Sequence, residues 1–345
     1  MHDSLSSPAP PQFEAAVDAV VSGDMTALHR LLRHHRELVL ARSVRPHHAT
    51  LLHYVAANGV EDIRQKTPPN AVAVATVLLE AGAAVDASAD TYGGGPQQTP
   101  LNLLVSSTHP ARAGLQAPLV DALADYGAAV NGVENDESPL QTALYFHYPL
   151  AAERLAARGA RVDSILTSAG LGRADLVDQF VGRDGELHAD VPLPRASGLG
   201  VAHEGKAHVE LALIWAAALG HAKVVTLLLD RGVRLSAPDP QGFTALHWAA
   251  FQGHRDVIEV LLQRGAPLEV QNIYGGTVLG QTVWAATHVD GVFHGGTFTR
   301  IDYAPIVERL LAAGARADDL RLPTGNFQLD TILARHGARR STRLT

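Results

Sequence analysis

ELALIWAAALGHAKVVTLLLDRGVRL (Glu210–Leu235) and FTALHWAAFQGHRDVIEVLLQRGAPL (Phe243–Leu268) align without a gap, 33 residues apart. Trp215 falls on Trp248, Gly220-His221 on Gly253-His254, and Gly232 on Gly265, so apolar, glycine and histidine positions agree together. In each stretch an Ala-rich apolar segment stops at Gly. A second segment, with Val-Val or Val-Ile followed by Leu-Leu, runs on toward the next Gly. These segments read as two helices, the second closed by a left-handed glycine.

Working outward, Thr244-Ala245-Leu246-His247-Trp248-Ala249-Ala250 returns as Thr50-Leu51-Leu52-His53-Tyr54-Val55-Ala56. It returns in part as Thr99-Pro100-Leu101-Asn102 and Ser138-Pro139-Leu140-Gln141. The second-helix pattern reappears as VLLEAGAAVD (77–86), LADYGAAV (123–130), LAARGARVD (155–163) and LLAAGARAD (310–318). The period and the T-P-L-H-x-A pattern resemble the ankyrin repeat, over roughly residues 13 to 338. The layout also resembles that of bacterial ankyrin-repeat proteins of undefined function. The resemblance implies an all-α fold: a solenoid of stacked helix-turn-helix units with β-turn fingers, about eight units plus capping helices. AVVSGDMTALHRLL (19–32) keeps both helices but lacks the TPLH segment, and NFQLDTILARHG (326–337) supplies one final helix, so both ends read as caps.

Departures from the period locate insertions, because a repeat lengthens at its loops. From the Leu of the TPLH segment to the closing Gly the spacing is 19 residues in regular units (Leu246 to Gly265, Leu140 to Gly159). It is 30 from Leu52 to Gly82, 26 from Leu101 to Gly127 and 35 from Leu279 to Gly314. The excess falls between the two helices, in Glu61–Asn70, Thr108–Gln116 and Thr287–Asp302. A fourth break, Gly182 to Val209, is rich in Gly, Pro and charge and reads as a long loop and a possible hinge. The expected organisation is a disordered tail (1–12), an N-terminal block (13–181), the loop (182–209), a C-terminal block (210–319) and a capping helix with tail (320–345).

Composition narrows the function. A net charge of −7 over 345 residues disfavours general binding to nucleic acid or anionic lipid. The absence of Cys removes disulfides, thiolate zinc sites and a cysteine nucleophile. The N-terminus, MHDSLSSPAPPQF, has no signal-peptide pattern and no apolar run spans a bilayer, so a cytoplasmic location is the default expectation. Of 28 basic residues only Lys66, Lys206 and Lys223 are lysine, a bias that with the abundant Ala suggests a GC-rich bacterial genome.

Eighteen histidines invite a metal argument. His53 and His247 hold the signature position, where the ring hydrogen-bonds backbone and ties neighbouring turns; His221 and His254 follow a turn Gly and read as structural too. His34-His35 and His47-His48 read as exposed surface. His288, Asp290 and His294, inside the longest insertion beside Gly295-Gly296, are the sharpest metal candidate, but they match no strong ligand motif and lack further donors. The expectation is therefore no metal and no cofactor. No Ser-His-Asp pattern is legible, and Gly93-Gly94-Gly95 lacks the Lys-Ser/Thr of a phosphate loop, so no catalytic residues are assigned.

Trp215, Trp248 and Tyr54 fall on a fixed apolar position and read as core. The resemblance places recognition on a concave face made by turn tips and first helices. The corresponding positions are Pro240, Gln241, Phe243, Phe251 and Gln252, with Ile273, Tyr274 and Trp284 in the next unit. The unit before supplies Lys206, His208, Glu210 and Leu219, and a fourth unit supplies Tyr145-Phe146-His147-Tyr148. Aromatics make up only 5% of the chain, so their grouping there marks Tyr145, Phe146, Tyr148, Gln241, Phe243, Phe251, Gln252, Tyr274 and Trp284 as the expected partner-binding set. The expected function is a non-catalytic module (adaptor, inhibitor or immunity-type protein) that binds another protein. Two alternatives are a small-molecule, metal-binding or enzymatic role at 287–302, and an effector acting inside a host cell.

Overall fold

A computed structural model describes residues 12–92, 97–136, 138–193, 205–294 and 297–340, with only the backbone of His294. The expected tails, Gly93-Gly94-Gly95, Gly295-Gly296 and the middle of the 182–209 stretch lie outside the described residues. The chain forms two compact units that divide between Arg161 and Val162.

Unit 1 contains α1 (Phe13–Ser22), α2 (Met25–His34), α3 (Leu51–Val55), α4 (Ala71–Glu80), α5 (Pro100–Leu104), α6 (Thr108–Arg112), α7 (Gln116–Asp125), α8 (Ser138–Tyr145) and α9 (Pro149–Ala157). First helices pack on first helices (α1 on α3, α3 on α5, α5 on α8), and second helices likewise (α4 on α7, α7 on α9). A short hairpin, β1 (Ala89–Asp90) with β2 (Gln97–Gln98), joins α4 to α5.

Unit 2 contains α10 (Ile165–Gly170), α11 (Ala174–Phe180), α12 (Gly205–Ala218), α13 (Ala222–Asp230), α14 (Ala245–Gln252), α15 (Arg255–Gln263), α16 (Val278–His288), α17 (Ala304–Ala312) and the closing α18 (Phe327–Arg335). The rows repeat: α10, α12, α14 and α16 pack in succession, and α11, α13 and α15 beside them. First helices are flanked on both sides, which is why α12 buries Leu211 through Ala218 almost all round. Packing by Ala and Leu lets helices approach closely. Each fully buried Leu, such as Leu228, Leu246 or Leu261, contributes roughly 1.5–3 kcal/mol.

The insertions carry structure that spacing alone does not reveal. The 61–70 stretch holds a 3-10 turn at Asp62–Arg64, and 108–116 holds α6. The 287–302 insertion, read from sequence as a loop, is an antiparallel hairpin of β3 (Val292–His294) and β4 (Thr297–Thr299). The expectation of an all-α chain is corrected to that extent, because alternating Val292-Phe293 and Phe298-Thr299 pair better in strands than in a helix. In the 182–209 stretch, α12 begins at Gly205, and Val181 bridges Leu187. A last parallel pair, β5 (Arg321–Leu322) with β6 (Arg339–Arg340), straddles α18 in sequence.

Candidate partner-binding face

The site begins with a turn made twice. Asp239 Oδ1 accepts the backbone N–H groups of Gln241 (2.9 Å) and Phe243 (2.8 Å); 33 residues on, Asn272 Oδ1 accepts those of Tyr274 (2.9 Å) and Gly276 (3.0 Å). The two tips are joined by Ile273 N–H to the Gln241 carbonyl at 3.0 Å. Each turn delivers the chain to a helix N-cap, Thr244 or Thr277, so tip residues and first-helix residues come to one face.

Below the tips a buried histidine locks the register. His247 Nδ1 accepts the Thr244 N–H at 3.1 Å, and Nε2 lies 3.4 Å from the Gly276 carbonyl of the next unit. His53 repeats this with the Thr50 N–H at 3.1 Å and the Gln98 carbonyl at 3.2 Å. A ring accepting at Nδ1 and donating at Nε2 must be neutral, and burial lowers both His53 and His247 to about 4. His221 and His254 have the same structural character, with Nε2 2.9 Å from the Gly170 carbonyl and 3.0 Å from the Ala218 carbonyl.

On the face itself, Phe243 is the hub. Its ring centroid lies 5.3 Å from Trp248 and 6.3 Å from Tyr274, and Trp248 meets Phe251 edge to face at 5.9 Å. Offset and edge-on aromatic pairs of this kind are individually attractive. Trp248, expected in the core, is only half-buried, and its Nε1–H donates to Asp239 Oδ2 at 2.8 Å. It is the site residue that the sequence reading missed; its equivalents Trp215 and Tyr54 are buried as expected. Tyr274 is 79% exposed and Trp284 52%. Trp284 stacks on His288 at 5.1 Å with nearly parallel planes.

Two members of the expected set are corrected. Gln252 is buried, and so is Tyr148, whose hydroxyl hydrogen-bonds Thr108 Oγ1 at 2.9 Å and is pushed up by burial. His208, placed on the face by alignment, is buried as well. In unit 1, Tyr145 and Phe146 are exposed and meet edge to face at 5.3 Å, with Phe146 stacked over Tyr148. Tyr145, Phe251 and Trp284 share one repeat position, seven residues after Ser138, Thr244 and Thr277. Elsewhere that position carries Ala57, Ser106, Leu171 and Ala218, none of them aromatic.

Of the histidine–aspartate trio of the last insertion, only the His288 and Asp290 side chains are described. His288 is engaged with the Trp284 ring and its carbonyl, 3.0 Å from Nδ1, and the His294 side chain lies outside the described residues. Among the described residues no three His, Asp or Glu side chains are grouped to hold a metal ion.

Unit 1 has a second polar cluster that sequence reading did not anticipate. Glu61 opens the first insertion and is nearly buried; it accepts the Tyr54 hydroxyl at 2.6 Å and pairs with Arg45 and with Arg64 at 3.5 Å. Arg64 also meets Glu14 (2.6 Å) and Asp18 (3.0 Å) of α1. His47, expected at the surface, is buried here with Nε2 3.4 Å from Glu61. Burial opposes ionisation of Glu61, but the Tyr54 hydroxyl and the two guanidinium groups outweigh it and hold the carboxyl below its usual range.

Comparison with known proteins agrees with the repeat architecture. Residues 171–272 match the family model for ankyrin repeats, in three copies, so this chain contains ankyrin repeats from the end of α10 through the second turn tip. Among solved structures it is similar to the human ASB11 ankyrin repeat domain, at 21% identity and a TM-score of 0.41, over 89% of this chain and 98% of that one. No curated protein matches the chain. Ankyrin repeats generally mediate protein–protein interaction and are typically non-catalytic. No helix among the described residues is long and apolar enough to cross a membrane.

Proposed function

We propose that the chain is a non-catalytic binding protein, acting in the cytoplasm as an adaptor, inhibitor or immunity-type partner, and that it grips another protein through the turn-tip face of unit 2. The carrying observation is the continuous aromatic group Phe243, Trp248, Phe251 and Tyr274, with Trp284 on the next helix of the same row. Exposed aromatics on a rigid scaffold supply anchors at small entropic cost. Tyr145 and Phe146 form a smaller patch of the same character in unit 1.

The test is affinity capture from the native host with wild type and the Tyr274→Ala/Trp284→Ala double variant. Both side chains are exposed, so the variant keeps its melting temperature. Loss of a partner that wild type retains supports the reading, and equal recovery of every partner by both proteins refutes it.

A further inference from the structure

We propose that the aromatic group around Asp239 receives an arginine side chain of the partner protein. This rests on the reading of the face as a partner-binding surface and adds the chemistry of what it binds.

The argument starts from a charge that lacks a counter-charge. Asp239 accepts three hydrogen bonds, from the Gln241 and Phe243 backbones and the Trp248 indole, and all three donors are neutral. Among the described residues no Arg or Lys pairs with it. Four other acids of unit 2 are matched, Asp178 with Arg231, Glu210 with Arg234, Asp230 with Arg264, and Glu259 with Arg309, whereas Asp256, Glu308 and Asp319 share the unmatched state of Asp239 but have no aromatic group beside them. A carboxylate left unmatched in a chain with so many arginines is a local source of negative potential.

The turn does not need that charge. Asn272 builds the same turn one repeat later with a neutral side chain. What Asp239 adds is a second oxygen, which accepts the Trp248 indole N–H, and a formal negative charge at the edge of that ring. Phe243, Trp248, Phe251, Gln241, Ile273, Tyr274 and Trp284 carry no charge that could offset it. Tyr274, 79% exposed, offers open ring surface 6.3 Å from Phe243, whose backbone N–H donates to this carboxylate. A negative charge next to aromatic faces is the environment that attracts an organic cation.

Arginine fits better than lysine. Its planar guanidinium stacks on tilted rings, is weakly hydrated and brings five donors, whereas an ammonium is compact and strongly hydrated.

The experiment uses the full chain, labelled with nitrogen-15, and a capped Gly-Arg-Gly-Arg-Gly-Arg peptide at physiological salt. Matched peptides carry citrulline, the neutral isostere, or lysine. The arginine peptide is expected to shift the Trp248 indole N–H resonance, with about tenfold weaker binding by the citrulline and lysine peptides and by Asp239→Asn or Tyr274→Leu protein. Tyr274 is exposed, so its replacement leaves the fold intact should Asp239→Asn disturb the Trp248 ring. A citrulline or lysine peptide that binds as tightly as the arginine peptide overturns the assignment. So does unchanged affinity in both variants, or an unmoved Trp248 resonance. In the capture experiment, a partner kept by Asp239→Asn but lost by the Tyr274→Ala/Trp284→Ala variant sinks the arginine inference alone. Retention by both sinks the face itself.

Discussion

The regular repeats of unit 2 and the first insertion of unit 1 solve the same problem, holding one stretch of chain against its neighbour, with opposite chemistry. In unit 2, His221, His247 and His254 reach the carbonyls of Gly170, Gly276 and Ala218, so buried or half-buried rings tie successive units by hydrogen bonds. In unit 1 the 61–70 insertion is anchored by ions: Glu61 to Arg45 and Arg64, and Arg64 to Glu14 and Asp18. A repeat presents the same carbonyl at the same place each time, so one directional hydrogen bond can be reused. An insertion breaks that register and is held by charge attraction, which is less demanding of angle. The two devices should therefore fail under different conditions.

The largest separation is expected from Glu61→Ala. It strips the acceptor from the Tyr54 hydroxyl and takes from Arg45 and Arg64 their one nearly buried counter-charge, leaving them the more exposed Glu14 and Asp18. Removing one partner of such a group costs about 4 kcal/mol. Hydrogen exchange should quicken in α1, α3 and the insertion while α12 to α16 keep their protection. Uniform loss across both units would erase the contrast drawn above.

Acid should act on the histidine device in a separate window. His53 and His247 are held neutral, with folded values of about 4 against an ordinary 6.5. The unfolded chain binds protons first as pH falls, so the stability present above pH 6.5 declines through this interval and is lost by about pH 4. Each ring accounts for on the order of 3 kcal/mol. Glu61, lowered from 4.5, loses its contribution only below that value. Denaturant titrations from pH 7 to 4 should show His247→Gln flattening the slope in unit 2, since Gln141 already fills the same repeat position. An unchanged slope would mean that the ring is not held neutral.

A smaller effect is expected from Gly220→Ala. Gly220 has φ +82°, and an added Cβ would lie 2.6 Å from the His254 ring. Left-handed strain and the displaced ring together cost about 2 kcal/mol, read as a lower denaturation midpoint. Gly172 makes the same approach to His221, so these two glycines make room for the next unit's histidine, while Gly253 faces Ile301 of the last insertion instead.

The Gly-His pair shows why the repeat was legible in sequence and much of the site was not. Period, caps and signature histidines are enforced at every unit, so alignment finds them. On the first helices Tyr145, Phe251 and Trp284 share one repeat position, and the resemblance to ankyrin repeats points to it. Gln252 and Tyr148 sit beside such positions, and only backbone direction shows that they turn inward. Trp248 reads as core because Trp215 is core, yet the partner that draws it outward is Asp239, nine residues upstream in a turn. The Glu61 cluster joins α1, the segment before α3 and an insertion, residues that no local spacing relates. The hairpin at 292–299 left a trace in alternating apolar residues, outweighed by the surrounding Gly and Thr.

Salt gives the smallest and most discriminating effect. Arg64 and Glu61 are mostly buried, but Glu14 and Asp18 are exposed, so part of the unit 1 anchor faces solvent where ions screen it. At 1 M salt the screening length is about 3 Å, and exposed pairs of this kind are worth about 0.2–1 kcal/mol. Raising salt from 0.1 M to 1 M in sodium chloride should therefore quicken exchange in the 61–70 insertion by about two- to fivefold. The neutral His247 tie should be indifferent to the same change. Equal acceleration at α14 would show that ionic contacts between Arg264 and Asp230 or Arg309 and Glu259 carry more of unit 2 than the histidines do. The two units would then differ in how their charges are arranged rather than in whether charge holds them.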